Sequence, residues 1–307
     1  MPDAATALIF HGLAGTPFEV APVAEALRTE GMAAHSPLLP GHGAAPEAYL
    51  ASSFGEWRAF ARAEYRRLCG RGPLLLGGYS LGGILALDIA EHAVEEGLPG
   101  PAGLLLLATP VRFGAWRRDL RLGGAGSWRF RFLPLAARLW PVLRVAPRSP
   151  EARAAAPWQG HEEVCCLRHF AEMEAALKGI RACLGRIHAP LCVIQHFHDA
   201  SCPPGQAAWL IAHCASAEAG LHLLRTASPH GGHLPATHRE SRERVAEIAR
   251  AFARRCAGPR TGPAAAAYEG SIASSPPRRP GALCRTPAQE RAKKVFFAKR
   301  QRAGLKA

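Results

Sequence analysis

The sequence predicts an α/β protein with a mostly parallel sheet and helices on both of its faces. Apolar stretches of strand length alternate with longer segments of helical periodicity, an order typical of βαβ units. One junction is especially informative, because the apolar run from Leu74 leads through Gly78-Tyr79-Ser80-Leu81-Gly82 into an apolar helix that starts at Ile84. A strand, a tight glycine-flanked turn and a helix in this order indicate a serine held at the edge of a sheet.

The other elements follow from the same periodicities. In Thr16-Pro17-Phe18-Glu19, Thr16 is the predicted N-cap of the first helix and Glu19 closes a capping box, and Gly31 ends that helix. Later apolar stripes at helical spacing predict three further helices. The predicted strands are Ala5–Phe10, Met32–Leu39, the stretch from Leu74, Gly103–Ala108, Leu191–Gln195 and Leu221–Arg225; the further helices are Ser52–Leu68, a segment near Pro204–His213, and His238–Arg255.

The regular alternation stops between Pro110 and about Leu184. No clean strand is predicted there, and the segment is rich in arginine, proline and aromatic residues. We interpret it as a small helical cap, about residues 110–185, inserted after the fourth strand. Residues 1–256 are then one domain that includes this cap.

Residues 257–307 differ in composition from the rest of the chain. They hold 11 basic and 2 acidic residues, and so contribute +9 of the net charge of +14. Lys178 is the only lysine before them, whereas four lysines lie within them. This basic, low-complexity tail is expected to be disordered and dispensable for folding and catalysis. Such a basic arm could contact RNA or anionic lipid weakly, but no specific nucleic-acid partner is expected.

Several functional classes are disfavoured by composition. No apolar run reaches the roughly 18 residues of a membrane helix, so no integral membrane segment is expected. No secretory leader is expected from the first residues, and nine scattered cysteines fit a reduced, cytoplasmic protein better than a disulfide framework or a zinc site. The two histidines and the carboxylate of His196-Phe-His198-Asp199 could ligate zinc, but alternate residues at a strand end can share a face without a third ligand, so neither a metal nor a cofactor is expected.

Ser80 is the predicted nucleophile. A serine hydroxyl is a poor nucleophile at neutral pH, so a base must take its proton as it attacks. Asp199, after an apolar strand, and His233, before the last helix, are the candidate partners, and their chain order with Ser80 is Ser, Asp, His. His230 lies in the same loop as His233 and competes for the role of base. The amide of Leu81, directly after the nucleophile, is a candidate donor to the oxyanion.

These features occur together with two more motifs, His11-Gly12-Leu13-Ala14-Gly15 and Pro40-Gly41-His42-Gly43. In this order they resemble the α/β-hydrolase superfamily, and more narrowly the small bacterial carboxylesterases and monoacylglycerol lipases. The resemblance covers about residues 5–255. It implies an α/β-hydrolase fold, favours His233 over His230 as the base, and assigns the second oxyanion donor to the amide of Leu13.

The implied activity is hydrolysis of carboxylic esters with short-to-medium acyl chains through an acyl-enzyme. A small-molecule ester is therefore the expected partner, and the oligomeric state is left open. Apolar residues between Phe130 and Val145 suggest either a wall of the acyl site or packing of the cap on the sheet domain. The alternatives left open are a thioesterase or acyltransferase on the same scaffold, and a non-catalytic binding protein with this fold.

Overall fold

A computed structural model describes residues 5–113, 132–228 and 230–257. Six strands form one entirely parallel sheet, in the order β2-β1-β3-β4-β7-β8 once all strands are numbered along the chain. The strands are β1 Thr6–Phe10, β2 Ala33–His35, β3 Leu74–Tyr79, β4 Gly103–Leu107, β5 Val142–Arg144, β6 Val164–Cys166, β7 Leu191–His196 and β8 Ala219–Leu224. The predicted mostly parallel sheet of an α/β-hydrolase fold is thereby confirmed.

Helices cover both faces of this sheet. Apolar side chains of α1 and α9 pack on one face, and those of α3, α4 and α8 pack on the other. The central strands β3 and β4 are buried along their whole length, which is why they are apolar throughout rather than alternating. The helices are α1 Ala21–Arg28, α2 Pro46–Ala51, α3 Phe54–Leu68, α4 Leu81–Glu95, α5 Leu133–Leu139, α6 Pro150–Ala155, α7 Leu167–Cys183, α8 Pro204–His213 and α9 Arg242–Ala257.

The strand register brings three loops to one edge of the sheet. Strand β1 pairs with β3 as far as Phe10 opposite Gly78, and β3 pairs with β4 as far as Tyr79 opposite Leu107. In a parallel sheet the carboxyl ends of all strands point the same way. The loops after β1, β3 and β7 therefore meet at the edge where α/β proteins build their sites.

The start of the first helix differs from the prediction. Thr16 caps a short 3-10 turn, Pro17–Glu19, and its hydroxyl accepts from the amide of Phe18. Helix α1 begins only at Ala21. Glu19 does not close a capping box, because its side chain turns inward and is buried. The predicted strand Met32–Leu39 is also too long, since only Ala33–His35 pairs with β1.

The segment between β4 and β7 is not purely helical. Strands β5 and β6 form an antiparallel ribbon between α5 and α7, so the expectation of no strand in this segment was wrong. Three-residue strands are too short to give an alternation signal. Helix α7 packs on α3 and α4 through residues such as Met173 and Leu177. The first part of the predicted cap, residues 114–131, and the tail, residues 258–307, lie outside the described residues.

The apolar residues predicted to form a wall or a packing surface are mostly exposed. Phe130 is not described, and Leu133 is buried. The exposed members are Phe132, Leu135, Leu139, Trp140, Val142, Leu143 and Val145, with 38% to 61% of their surface accessible. As far as the chain is described, these side chains therefore do not pack the cap onto the sheet domain. Among the described helices none has the length and apolar character needed to cross a membrane.

Candidate active site

Ser80 occupies a strained turn between β3 and α4. Its backbone has φ of 52° and ψ of −111°, a region that a residue with a side chain rarely adopts. The turn closes tightly: a Cβ on Gly78 would lie 2.1 Å from the carbonyl carbon of Gly82, and a Cβ on Gly82 would lie 2.1 Å from the carbonyl oxygen of Phe10. Only glycine fits at these two positions. The tight turn holds the half-buried Ser80 at the carboxyl edge of the sheet.

The three side chains predicted to act together lie in one hydrogen-bonded chain. The Ser80 hydroxyl is 3.1 Å from Nε2 of His233, and Nδ1 of His233 is 2.8 Å from Oδ2 of Asp199. An Nδ1–H that donates to Asp199 leaves Nε2 free to accept the serine proton. A hydrogen-bonded chain of this kind can supply a nucleophile, a base and a carboxylate that orients the base.

Asp199 is held by three further donors. The amides of Ser201 and Cys202 each donate to Oδ1 at 2.8 Å, and the side-chain amide of Gln195 donates to Oδ2, also at 2.8 Å. Asp199 is 3% exposed, so these bonds replace the water that its carboxylate loses on burial. Gln195 is the last predicted residue of its strand, and its supporting role was not recognised from the sequence.

The environment of His233 favours its charged form. Burial alone would lower its pKa, but the negative charge of Asp199 and their hydrogen bond outweigh burial. Glu19 adds a smaller contribution, and the pKa of His233 is raised above its usual value of 6.5. The imidazolium that forms when the ring takes a proton is thereby stabilised.

His230 lies in the same loop but is not brought to Ser80. It is exposed, its amide donates to the Ser228 hydroxyl, and its carbonyl accepts from Nε2 of His238. Of the two histidines considered from the sequence, His233 is therefore the one within reach of the serine.

Two backbone amides are the candidate oxyanion donors. Leu81 N follows the serine at the start of α4, and Leu13 N lies in the loop after β1. Within the described residues neither amide has an intramolecular acceptor. Both are therefore available to an oxyanion, and Leu81 N also lies at the positive end of the α4 dipole.

The loop that carries Leu13 is fixed by His11. The amide of Leu39 donates to Nε2 of His11 at 3.0 Å, so the ring proton is on Nδ1, which donates to the carbonyl oxygen of Gly12 at 2.9 Å. Burial lowers the pKa of His11 to about 4, so the ring is neutral at physiological pH. The neutral ring of His11 therefore links the loop after β1 to the loop after β2 through two hydrogen bonds.

The histidines of the His196-Phe-His198-Asp199 motif do not converge on one point. Nδ1 of His196 donates to the carbonyl of Gly232, and its Nε2 is 2.8 Å from the hydroxyl of Ser241. His196 thus ties β7 to the loop that carries His233. His198 is exposed. Among the described residues, only one group of side chains on α4 is close enough together to hold a metal ion: Glu91, His92 and Glu95. Both carboxylates of this group already pair with Arg186.

Comparison with known proteins agrees with this architecture. The model of the family described as serine aminopeptidase, S33, matches residues 2–228. The chain belongs to this S33 family of α/β-hydrolases. A curated relative of this S33 hydrolase is the thermostable monoacylglycerol lipase of Bacillus sp. (strain H-257), which is 28% identical over 219 residues, or 71% of this chain and 80% of that protein.

Solved structures share the fold of this S33 hydrolase. One, described with the metagenome-derived lipolytic enzymes LipS and LipT, has a TM-score of 0.66 at 21% identity and covers 83% of this chain and 95% of its own. The monoacylglycerol lipase of Paleococcus ferrophilus has a TM-score of 0.63 at 17% identity and covers 81% of this chain and 94% of its own. At such identities the likeness shows the fold alone.

Proposed function

We propose that this S33 hydrolase cleaves carboxylic esters by nucleophilic catalysis, with Ser80, His233 and Asp199 as its catalytic residues. The observation that carries the proposal is the hydrogen-bonded chain from Asp199 through His233 to Ser80, at a strained strand-to-helix turn. The curated relative, a monoacylglycerol lipase, supports the assignment to ester hydrolysis.

The acylation step uses each of these groups once. Oγ of Ser80 attacks the ester carbonyl carbon while its proton passes to Nε2 of His233. The carbonyl oxygen becomes an oxyanion that accepts from the amides of Leu13 and Leu81. When the tetrahedral intermediate collapses, the carbon–oxygen bond to the alcohol breaks and the imidazolium returns the proton to the leaving alkoxide. An acyl-enzyme on Ser80 remains, and charge is balanced throughout.

Deacylation repeats the sequence with water. His233 takes a proton from the attacking water, the new tetrahedral oxyanion uses the same two amides, and the proton returns to Oγ of Ser80 as the acid leaves. Asp199 keeps the imidazole in one tautomer and stabilises the imidazolium in both steps. Because Asp199 is buried and accepts from Ser201, Cys202 and Gln195, its position does not depend on substrate.

We further propose esters of short-to-medium acyl chains as the substrates. The proposal takes the accessible apolar side chains around α5 and β5 as the wall of the acyl site, where each buried methylene of an acyl chain would contribute about 0.8 kcal/mol. Arg138 and Arg144 lie in the same segment and would tolerate a polar alcohol such as glycerol.

Three measurements test the proposal: covalent labelling, an ester series and matched thioesters. A fluorophosphonate probe should label the wild-type protein covalently at Ser80 and should not label Ser80→Ala. Across p-nitrophenyl esters from acetate to laurate, kcat/KM should rise from acetate towards butyrate or longer chains and then fall. Absence of labelling would refute the serine mechanism, a preference for acetate would refute the acyl-chain assignment, and faster turnover of matched thioesters would favour a thioesterase.

A further inference from the structure

A buried carboxylate lies against the loop that carries Leu13. Glu19 is 2% exposed, and its Oε2 accepts from the amide of Gly12 at 2.5 Å. Its Oε1 accepts from the indole N–H of Trp158, which belongs to the segment between α6 and β6. The reaction described above gives Glu19 no proton to transfer and no bond to make, so its burial requires another explanation.

The hydrogen bonds around Gly12 determine the direction of the Leu13 amide. The carbonyl of Gly12 and the N–H of Leu13 belong to one peptide unit, and in a planar trans peptide these two groups point in opposite directions. Nδ1 of His11 donates to that carbonyl from one side of the residue. On the other side, Glu19 holds the Gly12 amide. With both ends of Gly12 held, the Leu13 N–H has one orientation.

The cap segment is attached to the same loop at a second point. The amide of His161 donates to the carbonyl of Ala14 at 2.9 Å, and a Cβ on Gly160 would lie 2.1 Å from that oxygen. The cap segment therefore binds the loop at two points, through Trp158 to Glu19 and through His161 to Ala14. Glu19 connects the two, because it accepts from Gly12 in the loop and from Trp158 in the cap segment.

We propose that Glu19 is a positioning residue that sets the Leu13 amide for the oxyanion and connects the oxyanion loop to the cap. The inference rests on the proposed function of Ser80 and goes beyond it. Burial raises the pKa of Glu19 to about 8, against the opposing effect of its two hydrogen bonds and of the nearby His233 and Arg148. Either protonation state keeps one oxygen that can accept from Gly12, so the positioning role does not require the charge.

Two substitutions of similar volume separate positioning from packing. Glu19→Met fills the site without an acceptor, whereas Glu19→Gln keeps one carbonyl oxygen for Gly12 or Trp158. We expect Glu19→Met to lower kcat by about 10- to 100-fold with KM changed less than about threefold, since loss of one oxyanion donor outright costs about 10²- to 10³-fold. Glu19→Gln should retain more activity than Glu19→Met. Glu172→Met is the matched control, because Glu172 accepts from the Phe54 amide at the start of α3.

An alkyl trifluoromethyl ketone reports on the oxyanion directly. Ser80 adds to its carbonyl, the serine proton moves to His233, and the resulting hemiketal oxyanion occupies the position of the transition-state oxygen. Its inhibition constant should rise by the same factor by which kcat/KM falls in Glu19→Met. Glu172→Met should change the unfolding midpoint but leave both kinetic values unchanged.

The outcomes are distinct. Wild-type kcat in a folded Glu19→Met variant, or equal losses in the Met and Gln variants, would overturn the positioning role while leaving the proposed function intact. A reduced kcat with an unchanged inhibition constant would overturn the link to the oxyanion. If the wild-type protein neither hydrolyses esters nor reacts with fluorophosphonate, the proposed function fails and this inference fails with it.

Discussion

Nε2 of His233 lies 3.1 Å from Oγ of Ser80, although 153 residues separate them in the chain. The exposed His230, three residues earlier, is held by backbone contacts to Ser228 and His238. We therefore expect His233→Ala and Ser80→Ala each to lower kcat by a factor on the order of 10⁶, as for residues that act as one unit. His230→Ala should stay within about threefold of wild type in assays of p-nitrophenyl butyrate hydrolysis. An inactive His230→Ala beside an active His233→Ala would reverse the assignment.

We expect Asp199 to affect both the rate and its pH dependence. Asp199→Asn should lower kcat by about 10⁴-fold, because the imidazole loses its preferred tautomer. Its charge is also the main influence that raises the pKa of His233 against burial. Below that pKa the ring is protonated and cannot accept the serine proton, so activity falls as pH decreases.

In Asp199→Asn the negative charge that opposes the effect of burial is removed, so the pKa of His233 should fall. The acid limb of the kcat/KM profile should therefore move to lower pH than in wild type. Profiles of both proteins measured between pH 5 and 9, a range that includes the usual titration of imidazole, would check the direction of this shift. A limb that stays in place would show that it belongs to another group.

A cluster of buried histidines should make the fold sensitive to acid. His42 packs edge-on against the rings of His11, Tyr49 and Trp57, with centroids 4.9 to 5.2 Å apart. Burial lowers the pKa of His11 to about 4 and that of His42 to about 3, and the other histidine rings add to the effect at His42. Both rings therefore remain neutral in the folded protein under conditions in which they are protonated in the unfolded chain.

The sign of the effect follows from proton counting. As pH falls below about 6.5, the unfolded state binds protons that the folded state does not, so stability decreases, by about 1.4 kcal/mol per pH unit for each group. Between pH 6.5 and 4.5 the two rings should remove on the order of 4–5 kcal/mol of unfolding free energy. Urea unfolding of His42→Phe should show a shallower loss than wild type, whereas the exposed His188→Phe should not. Equal slopes would exclude His42 as a source.

The parts of the site that the sequence predicted are those encoded locally. The turn around Ser80 is recognisable because a buried strand, two sterically required glycines and an apolar helix are adjacent in the chain. Asp199 was a candidate because it follows a predicted strand, and His230 and His233 were candidates because they lie in the loop before the last helix. The choice of His233 needed the family resemblance, because both histidines satisfy the same local pattern.

The supporting contacts could not be predicted, because they join distant residues. Glu19 and Trp158 are 139 residues apart, and His196 and Ser241 are 45 apart. Glu19 even gave a misleading local signal, since a glutamate three residues after a threonine fits a capping box. The burial of Glu19 depends on where the cap segment packs, and the hydrophobic periodicity of the sequence does not predict that position. The ribbon of β5 and β6 was missed because three residues carry too little alternation.

Two ion pairs between α3 and the α4 region offer a test of how burial sets their contribution to stability. Arg62 donates through Nε and NH2 to the two oxygens of Asp88, at 2.8 and 3.0 Å. Arg66, one turn later, makes the same two-point contact with Glu96 at 3.0 and 2.8 Å. The side chain of Asp88 is 3% exposed and that of Arg62 is 18% exposed, whereas Arg66 and Glu96 are 48% and 32% exposed.

The geometry of the two pairs is alike, so the difference in burial should decide the outcome. Arg62→Ala leaves the Asp88 carboxylate buried without its arginine partner, with Nδ1 of His92 3.8 Å away, and should cost about 3–5 kcal/mol. Arg66→Ala leaves Glu96 accessible to water and should cost less than about 1 kcal/mol. Replacing both buried partners, as in Arg62→Met with Asp88→Leu, should recover most of the loss, because no unpaired charge remains. Chemical denaturation of the four proteins at one pH measures these differences, and a double variant no more stable than Arg62→Ala would mean that the loss comes from packing around Arg62 rather than from the unpaired carboxylate.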